Sequence, residues 1–83
     1  MNREWILSHL REAHEEISRT IQEIEEDSEY DFGAYLVAMM HIYNHVNTAW
    51  NSRDASPDRV KTCTYEEFER WRRFPIDIDM SVT

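Results

Sequence analysis

Two histidines, His41 and His45, are four positions apart in a predicted helix, a spacing at which side chains can do metal chemistry. Residues four apart share one face of an α-helix, so both imidazoles can reach one divalent metal ion. A third ligand would have to come from His9, His14, a carboxylate of another helix or a second chain. His41, His45 and His14 are the candidate ligands for a metal-binding protein or metal-dependent enzyme.

The residues around this pair fit neither of two common helical metal motifs. A metalloprotease helix carries Glu directly after its first histidine, where this chain has Ile42, and neither histidine has Glu three positions before it. The spacing resembles that of DinB-type helical-bundle metalloenzymes, which implies a metal held by histidines from different helices. The alternative, which we favour, is a polar seam with Asn44 and Asn47 and no cofactor.

The histidines must be positioned by two long helices. Helix 1 is predicted over about residues 2–28, because apolar residues recur at helical spacing. These are Leu7, Leu10, Ile17, Ile21 and Ile24. Its other side is predicted to be a solvated acidic face, formed by Glu12, Glu15, Glu16, Glu23 and Glu26. His14 lies on the apolar stripe, so we expect it to be buried and bonded across to Tyr43 or Asn47.

Helix 2 is predicted over about residues 32–53, and residues 34–52 contain no Asp, Glu, Lys or Arg. Two helices of similar length with a tight connection predict an antiparallel hairpin. The apolar arc of helix 2 is wider than one partner helix needs, so we expect dimerisation into a four-helix bundle. Predicted interface residues are Tyr35, Leu36, Met39, Met40, Tyr43, Val46 and Trp50, with Phe68 and Trp71 from the C-terminal part.

The rest of the chain is predicted to be short elements on one all-α domain spanning residues 1–83. Residues 54–63 contain turn-forming Ser, Pro and Asp and are predicted to be a linker. Thr64 and Glu67 match a capping box, which predicts a short helix over about 64–74. Alternating apolar and acidic residues predict an extended tail over 75–83.

A chain of 83 residues with one cysteine needs help to be stable, and oligomerisation is the common route left. We therefore expect a homodimer, with another protein as the alternative partner. The net charge of −8 disfavours nucleic acid. No secretory signal or apolar membrane segment is visible, so we expect a cytoplasmic protein. The sequence favours a small acidic, self-associating interaction module over an enzyme.

Overall fold

A computed structural model describes residues 1–81. Within that range the chain is all-helical and contains no strand. The four helices are α1 (Arg3–Glu26), α2 (Phe32–Asn51), α3 (Pro57–Thr62) and α4 (Tyr65–Trp71). The prediction of an all-α fold with two long helices is confirmed.

Each helix begins at a residue whose side-chain oxygen accepts a hydrogen bond from the backbone N–H three positions later. These capping residues are Asn2, Asp31, Ser56 and Thr64. Such a bond satisfies one of the N–H groups that the first helical turn leaves without a partner. Asn2 also donates its side-chain amide to the carbonyl of Ala55 at 2.9 Å. This bond holds the start of α1 against the segment that follows α2.

The predicted linker contains a helix, so that part of the prediction is wrong. Ser56 caps this helix, and Pro57 occupies its first turn, where a missing N–H costs nothing. Asp58 is also in the first turn, where its carboxylate interacts favourably with the positive end of the helix dipole. These same residues had indicated a turn, because turn and helix-start signals overlap. The hydrogen bond that closes the first turn decides for the helix.

The last helix and the tail also differ from the prediction. α4 ends at Trp71, and residues 72–81 form turns and bends rather than an extended segment. Asp77 accepts a hydrogen bond from the Trp50 indole at 2.8 Å and pairs with Arg53 at 3.4 Å, which folds the tail back onto α2. Val82 and Thr83, the last residues of the predicted extended tail, lie outside the described residues.

α1 and α2 form the predicted antiparallel hairpin. Trp5 contacts Ser52 and His9 contacts His45, so rising residue numbers in α1 meet falling numbers in α2. The line of contact runs through small buried residues, namely Ala13, Thr20, Ala38, Thr48 and Ala49. Small side chains let two helix backbones approach closely, while larger ones lie to the sides.

The hairpin encloses very little apolar material. Among residues 1–81 the buried apolar side chains are Ala13, Ala38 and Ala49, and the largest fully buried side chain is Thr48. The Cα radius of gyration is 14.7 Å, against about 12 Å for a compact domain of this length. The chain is elongated, and its large apolar residues lie outside its core.

Two asparagines of α2 explain why this uncharged helix is also polar. Asn47 donates its amide to the carbonyl of Arg72, and Asn51 donates to the carbonyls of Trp71 and Arg73. These bonds satisfy backbone carbonyls at and just beyond the C-terminal end of α4, where no further helical turn supplies N–H donors. The asparagines therefore dock α4 on α2.

Removing one of these amides should loosen that docking. We expect Asn51→Ala to lower the free energy of unfolding by about 1 to 2 kcal/mol, because two hydrogen bonds are lost. Urea denaturation followed by circular dichroism measures the change. Asn44→Ala is the matched control in the same helix. Equal losses in the two variants would contradict the docking role.

Candidate functional site

One flank of the hairpin is an apolar face built from both long helices. The large apolar residues are centred about a quarter turn from the buried contact line in α1 and about a third of a turn from it in α2, in the same rotational sense. Because the helices are antiparallel, the two stripes emerge on the same side of the hairpin. The face comprises Leu7, Leu10, Ile17, Ile21 and Ile24 of α1 and Phe32, Tyr35, Leu36, Met39, Met40, Tyr43 and Val46 of α2.

The apolar face is open to solvent in the single chain. Met39 is half-buried and every other member is exposed, including Ile21 at 52%, Met40 at 52% and Phe32 at 74%. Monomeric soluble proteins rarely expose contiguous apolar patches larger than a few hundred Å². A face that runs the length of two helices exceeds this and is typical of a surface that another molecule covers.

A pocket of about 420 Å³ lies at the terminal end of the apolar face. Leu10, Tyr43 and Val46 of the face line it, together with Trp50 and the tail residue Ile78. The tail, held by Asp77, thus raises a wall at one end of an otherwise open surface.

The opposite flank of the hairpin carries a histidine cluster. His9 Nδ1 lies 3.0 Å from His45 Nδ1, which is hydrogen-bonding distance. The Trp5 ring packs edge-on against His9 with centroids 4.3 Å apart. His9 Nε2 is buried and has no hydrogen-bond partner within the described part of the chain. One imidazole must donate and the other accept, so the bond exists only while at least one ring is neutral.

A third histidine lies beside this pair. His41 is exposed, and its Nδ1 is 3.6 Å from Glu16 Oε1. His9, His41 and His45 line one cavity of about 220 Å³, which Arg72, the residue after α4, also borders. Glu16 is half-buried here, so the predicted acidic face of α1 is solvated only in part. In residues 1–81 no group of three or more His, Cys, Asp or Glu side chains is arranged to hold a metal ion.

The candidate metal ligands named from sequence are not all brought together. His41 and His45 share the cavity, but His14 is exposed on the other flank, within the apolar face. The expectation that His14 is buried is wrong, because the helices meet along Ala13 and Thr20 rather than along the apolar stripe. His9 takes the place nearest His45. His9 lies one helical turn before the small residue Ala13, and this alignment with the small residues was the sequence signal for its position.

The predicted interface residues divide between the two flanks. Tyr35, Leu36, Met39, Met40, Tyr43 and Val46 belong to the apolar face, and Trp50 lines its pocket. Phe68 and Trp71 do not belong to it. Phe68 lines the histidine cavity, and the Trp71 ring lies 6.4 Å from that of Trp5, so both dock α4 on its own chain.

The histidine cluster predicts a pH-dependent stability. Burial lowers the pKa of the His9 imidazole, and His45 lowers it further, whereas Glu12 acts in the opposite direction. The unfolded chain then binds the proton more readily than the folded chain. Stability should be complete above about pH 6.5, the unperturbed histidine pKa, and fall as the pH drops from there toward the folded value.

Urea unfolding at a fixed protein concentration, between pH 8 and pH 5, measures this slope. His9→Asn should be less stable at pH 8 and lose part of the dependence, whereas His14→Asn should keep it. A His9→Asn profile parallel to that of the unmodified chain would contradict the assignment.

Comparisons of the chain with protein-family models, curated proteins and solved structures gave no match. The case for a function therefore rests on the chain's own residues. In addition, none of the helices within residues 1–81 has the length and hydropathy needed to cross a membrane.

Proposed function

We propose that this protein is a self-associating interaction module whose two hairpins pack through their apolar faces into a four-helix bundle. The observation that carries the proposal is the distribution of apolar residues. Three alanines form the buried apolar core of residues 1–81, while the Leu, Ile, Val, Met and Phe side chains of the apolar face are exposed. A second copy would supply the core that one chain lacks.

The size of the apolar face fits a dimer interface. α1 has 24 residues and is about 36 Å long at 1.5 Å per residue. Two neighbouring helices about 10 Å wide give a footprint of roughly 700 Å². A standard protein interface buries about 800 Å² per partner. The face is therefore large enough for a specific complex.

The chemistry of the face also fits burial against a copy of itself. It includes no Asp, Glu, Lys or Arg, and His14 is the ionisable imidazole within it. Most charged residues of α1 lie on other sides of the helix, where a four-helix bundle would leave them in water, and Arg3 and Glu25 lie on the arc of the face only at its two ends. A symmetric dimer places the same patch on both chains, so one sequence satisfies both partners.

Thermal unfolding at several protein concentrations tests this function. If folding and association are coupled, the Tm rises with concentration, because mass action stabilises the associated state. We expect a clear rise over a hundredfold range near micromolar concentration. A cooperative transition with the same Tm at every concentration would argue for a stable monomer.

Metal binding at the histidine cluster is a second candidate function. The observation in its favour is the 3.0 Å separation of His9 Nδ1 and His45 Nδ1, with His41 on the same cavity. Zinc bound to imidazole has Zn–N distances of about 2.0 to 2.1 Å, so two nitrogens about 3.3 Å apart can share one ion. Water or a ligand would complete the coordination.

Zinc titration by calorimetry, on protein purified without a histidine tag, tests this candidate. We expect one Zn²⁺ per chain, loss of binding in His45→Ala, and unchanged binding in His14→Ala, since His14 lies on the other flank. Absence of binding by the unmodified chain, or equal binding by both variants, would exclude the cluster as a zinc site.

A further inference from the structure

The apolar face is asymmetric along its length, and this points to one orientation of the dimer. Resting on the proposed self-association, we propose that the two hairpins pack with their loop ends at opposite ends of the bundle. In this arrangement Phe32 of each chain enters the pocket of the other. The occupant of the pocket is thus a second copy of this chain.

Phe32 and the pocket lie at matching distances from the middle of the hairpin. Phe32 is the first residue of α2, about 14 Å from the midpoint of that helix at 1.5 Å per residue. Trp50 in α2 and Ile6 in α1 line the pocket, and each lies about 13 Å from its helix midpoint toward the other end. A two-fold axis across the middle therefore brings Phe32 level with the partner's pocket.

The chemistry of the two parts is complementary. Phe32 is 74% exposed in the single chain, so nothing in its own hairpin accommodates the ring. The pocket is lined almost wholly by apolar groups, among them Val46, Phe74 and Ile78, and its volume of about 420 Å³ accommodates an aromatic side chain. Aromatic residues seated in such pockets commonly dominate interface affinity.

Charge selects the same orientation. The loop end of the hairpin carries six carboxylates, namely Glu23, Glu25, Glu26, Asp27, Glu29 and Asp31. No Lys or Arg occurs between Arg19 and Arg53, so this end has no cation close in sequence to offset them. Packing both loop ends together would set two such clusters side by side. The proposed orientation separates the two acidic clusters by about 40 Å, which is several Debye lengths at physiological salt.

The proposed orientation also places the acidic loop end of each hairpin beside the end of its partner that carries the N-terminus. Arg3, Arg53 and the amino group of Met1 lie at that end, and Arg53 and the amino group already pair with Asp54 and Asp77 of their own chain. Mixed charges beside the partner's loop repel its carboxylates less than a second acidic cluster would. Shape and charge therefore favour one packing.

Pulsed electron–electron double resonance between two spin labels measures the orientation of the two hairpins directly. The label is attached to Ser28→Cys in a Cys63→Ser background, because Ser28 is exposed in the loop between α1 and α2. We expect a distance of about 40 Å between the two labels. A distance below about 25 Å in a dimer would show the loop ends together and overturn the orientation. A monomeric mass with no dipolar signal would instead contradict self-association itself.

Truncation of the aromatic side chain tests whether Phe32 occupies the partner's pocket. We expect Phe32→Ala to raise the dimer dissociation constant at least about tenfold, since the ring is lost from both ends of the interface. Tyr65→Ala is the matched control, because Tyr65 is 76% exposed but lies on α4 outside the apolar face. Equal dissociation constants for the two variants would overturn the role of Phe32.

Discussion

A Met40→Glu variant should be monomeric at concentrations where the proposed dimer of the unmodified chain forms. Met40 lies near the middle of the length of α2, within the apolar face, and is 52% exposed in the single chain, so a partner would bury it. A carboxylate there loses hydration without gaining a cation, which costs several kcal/mol, and symmetry applies the cost twice. We expect the dissociation constant to rise more than a hundredfold. Size-exclusion chromatography with light scattering measures the mass.

Val37→Glu is the matched control for this variant. Val37 is in the same helix and is 49% exposed, but it lies on the flank of the histidine cluster rather than on the apolar face. The same substitution there should leave the dimer intact. Monomers from both variants, or dimers from both, would show that the apolar face is not the interface.

The second large effect is expected at the hairpin contact. Ala13 is 3% exposed where α1 meets α2, so we expect a larger side chain there to push the helices apart. We expect Ala13→Leu to lower the free energy of unfolding by about 1 to 3 kcal/mol, or more if the helices separate. Urea denaturation at fixed concentration gives the value.

Ala34→Leu controls for the change in helix propensity and hydrophobicity. Ala34 is exposed in the first turn of α2, so the same substitution should change stability by less than about 0.5 kcal/mol. If Ala13→Leu were as stable as this control, the close contact through small residues would not hold the hairpin together.

The hairpin could be predicted because helical periodicity and chain punctuation are local properties. The apolar spacing in residues 3–26 and 32–51 gives the helices, and the Asp31 cap gives the start of the second. The short helix at Pro57–Thr62 was missed because Ser-Pro-Asp begins turns as readily as helices. Only the backbone bonds that follow distinguish the two.

The contact line between the helices could not be predicted from hydrophobicity alone. The largest apolar residues of α1 indicate one face, but the chain buries Ala13 and Thr20 on a neighbouring face. Large side chains hold two helices apart, whereas small ones allow the close approach that a two-helix contact needs. For that reason His14 is exposed, and His9, aligned with the small residues, meets His45.

The division of the aromatic residues was also beyond the sequence. Phe68 and Trp71 are aromatic residues at helical spacing, as interface residues often are. In the structure, however, α4 folds back and packs both side chains on its own hairpin. That docking depends on Asn47 and Asn51 reaching the end of α4. A long-range bond of this kind leaves no periodic signal in the chain.

The two flanks of the hairpin therefore differ in chemistry. The flank with the histidine cluster is closed in part by α4 and carries His9, whose pKa is lowered by burial. The apolar face is flat, largely without charge and uncovered over most of its length. We infer that association uses the apolar face and leaves the histidine cluster accessible to protons and ions in the dimer.

Sedimentation equilibrium of the unmodified chain at micromolar concentration tests the central claim most directly. The proposed dimer predicts a species of twice the 10.1 kDa chain mass, with a helical circular dichroism spectrum. A single 10.1 kDa species that keeps the full helical spectrum and unfolds cooperatively would contradict it.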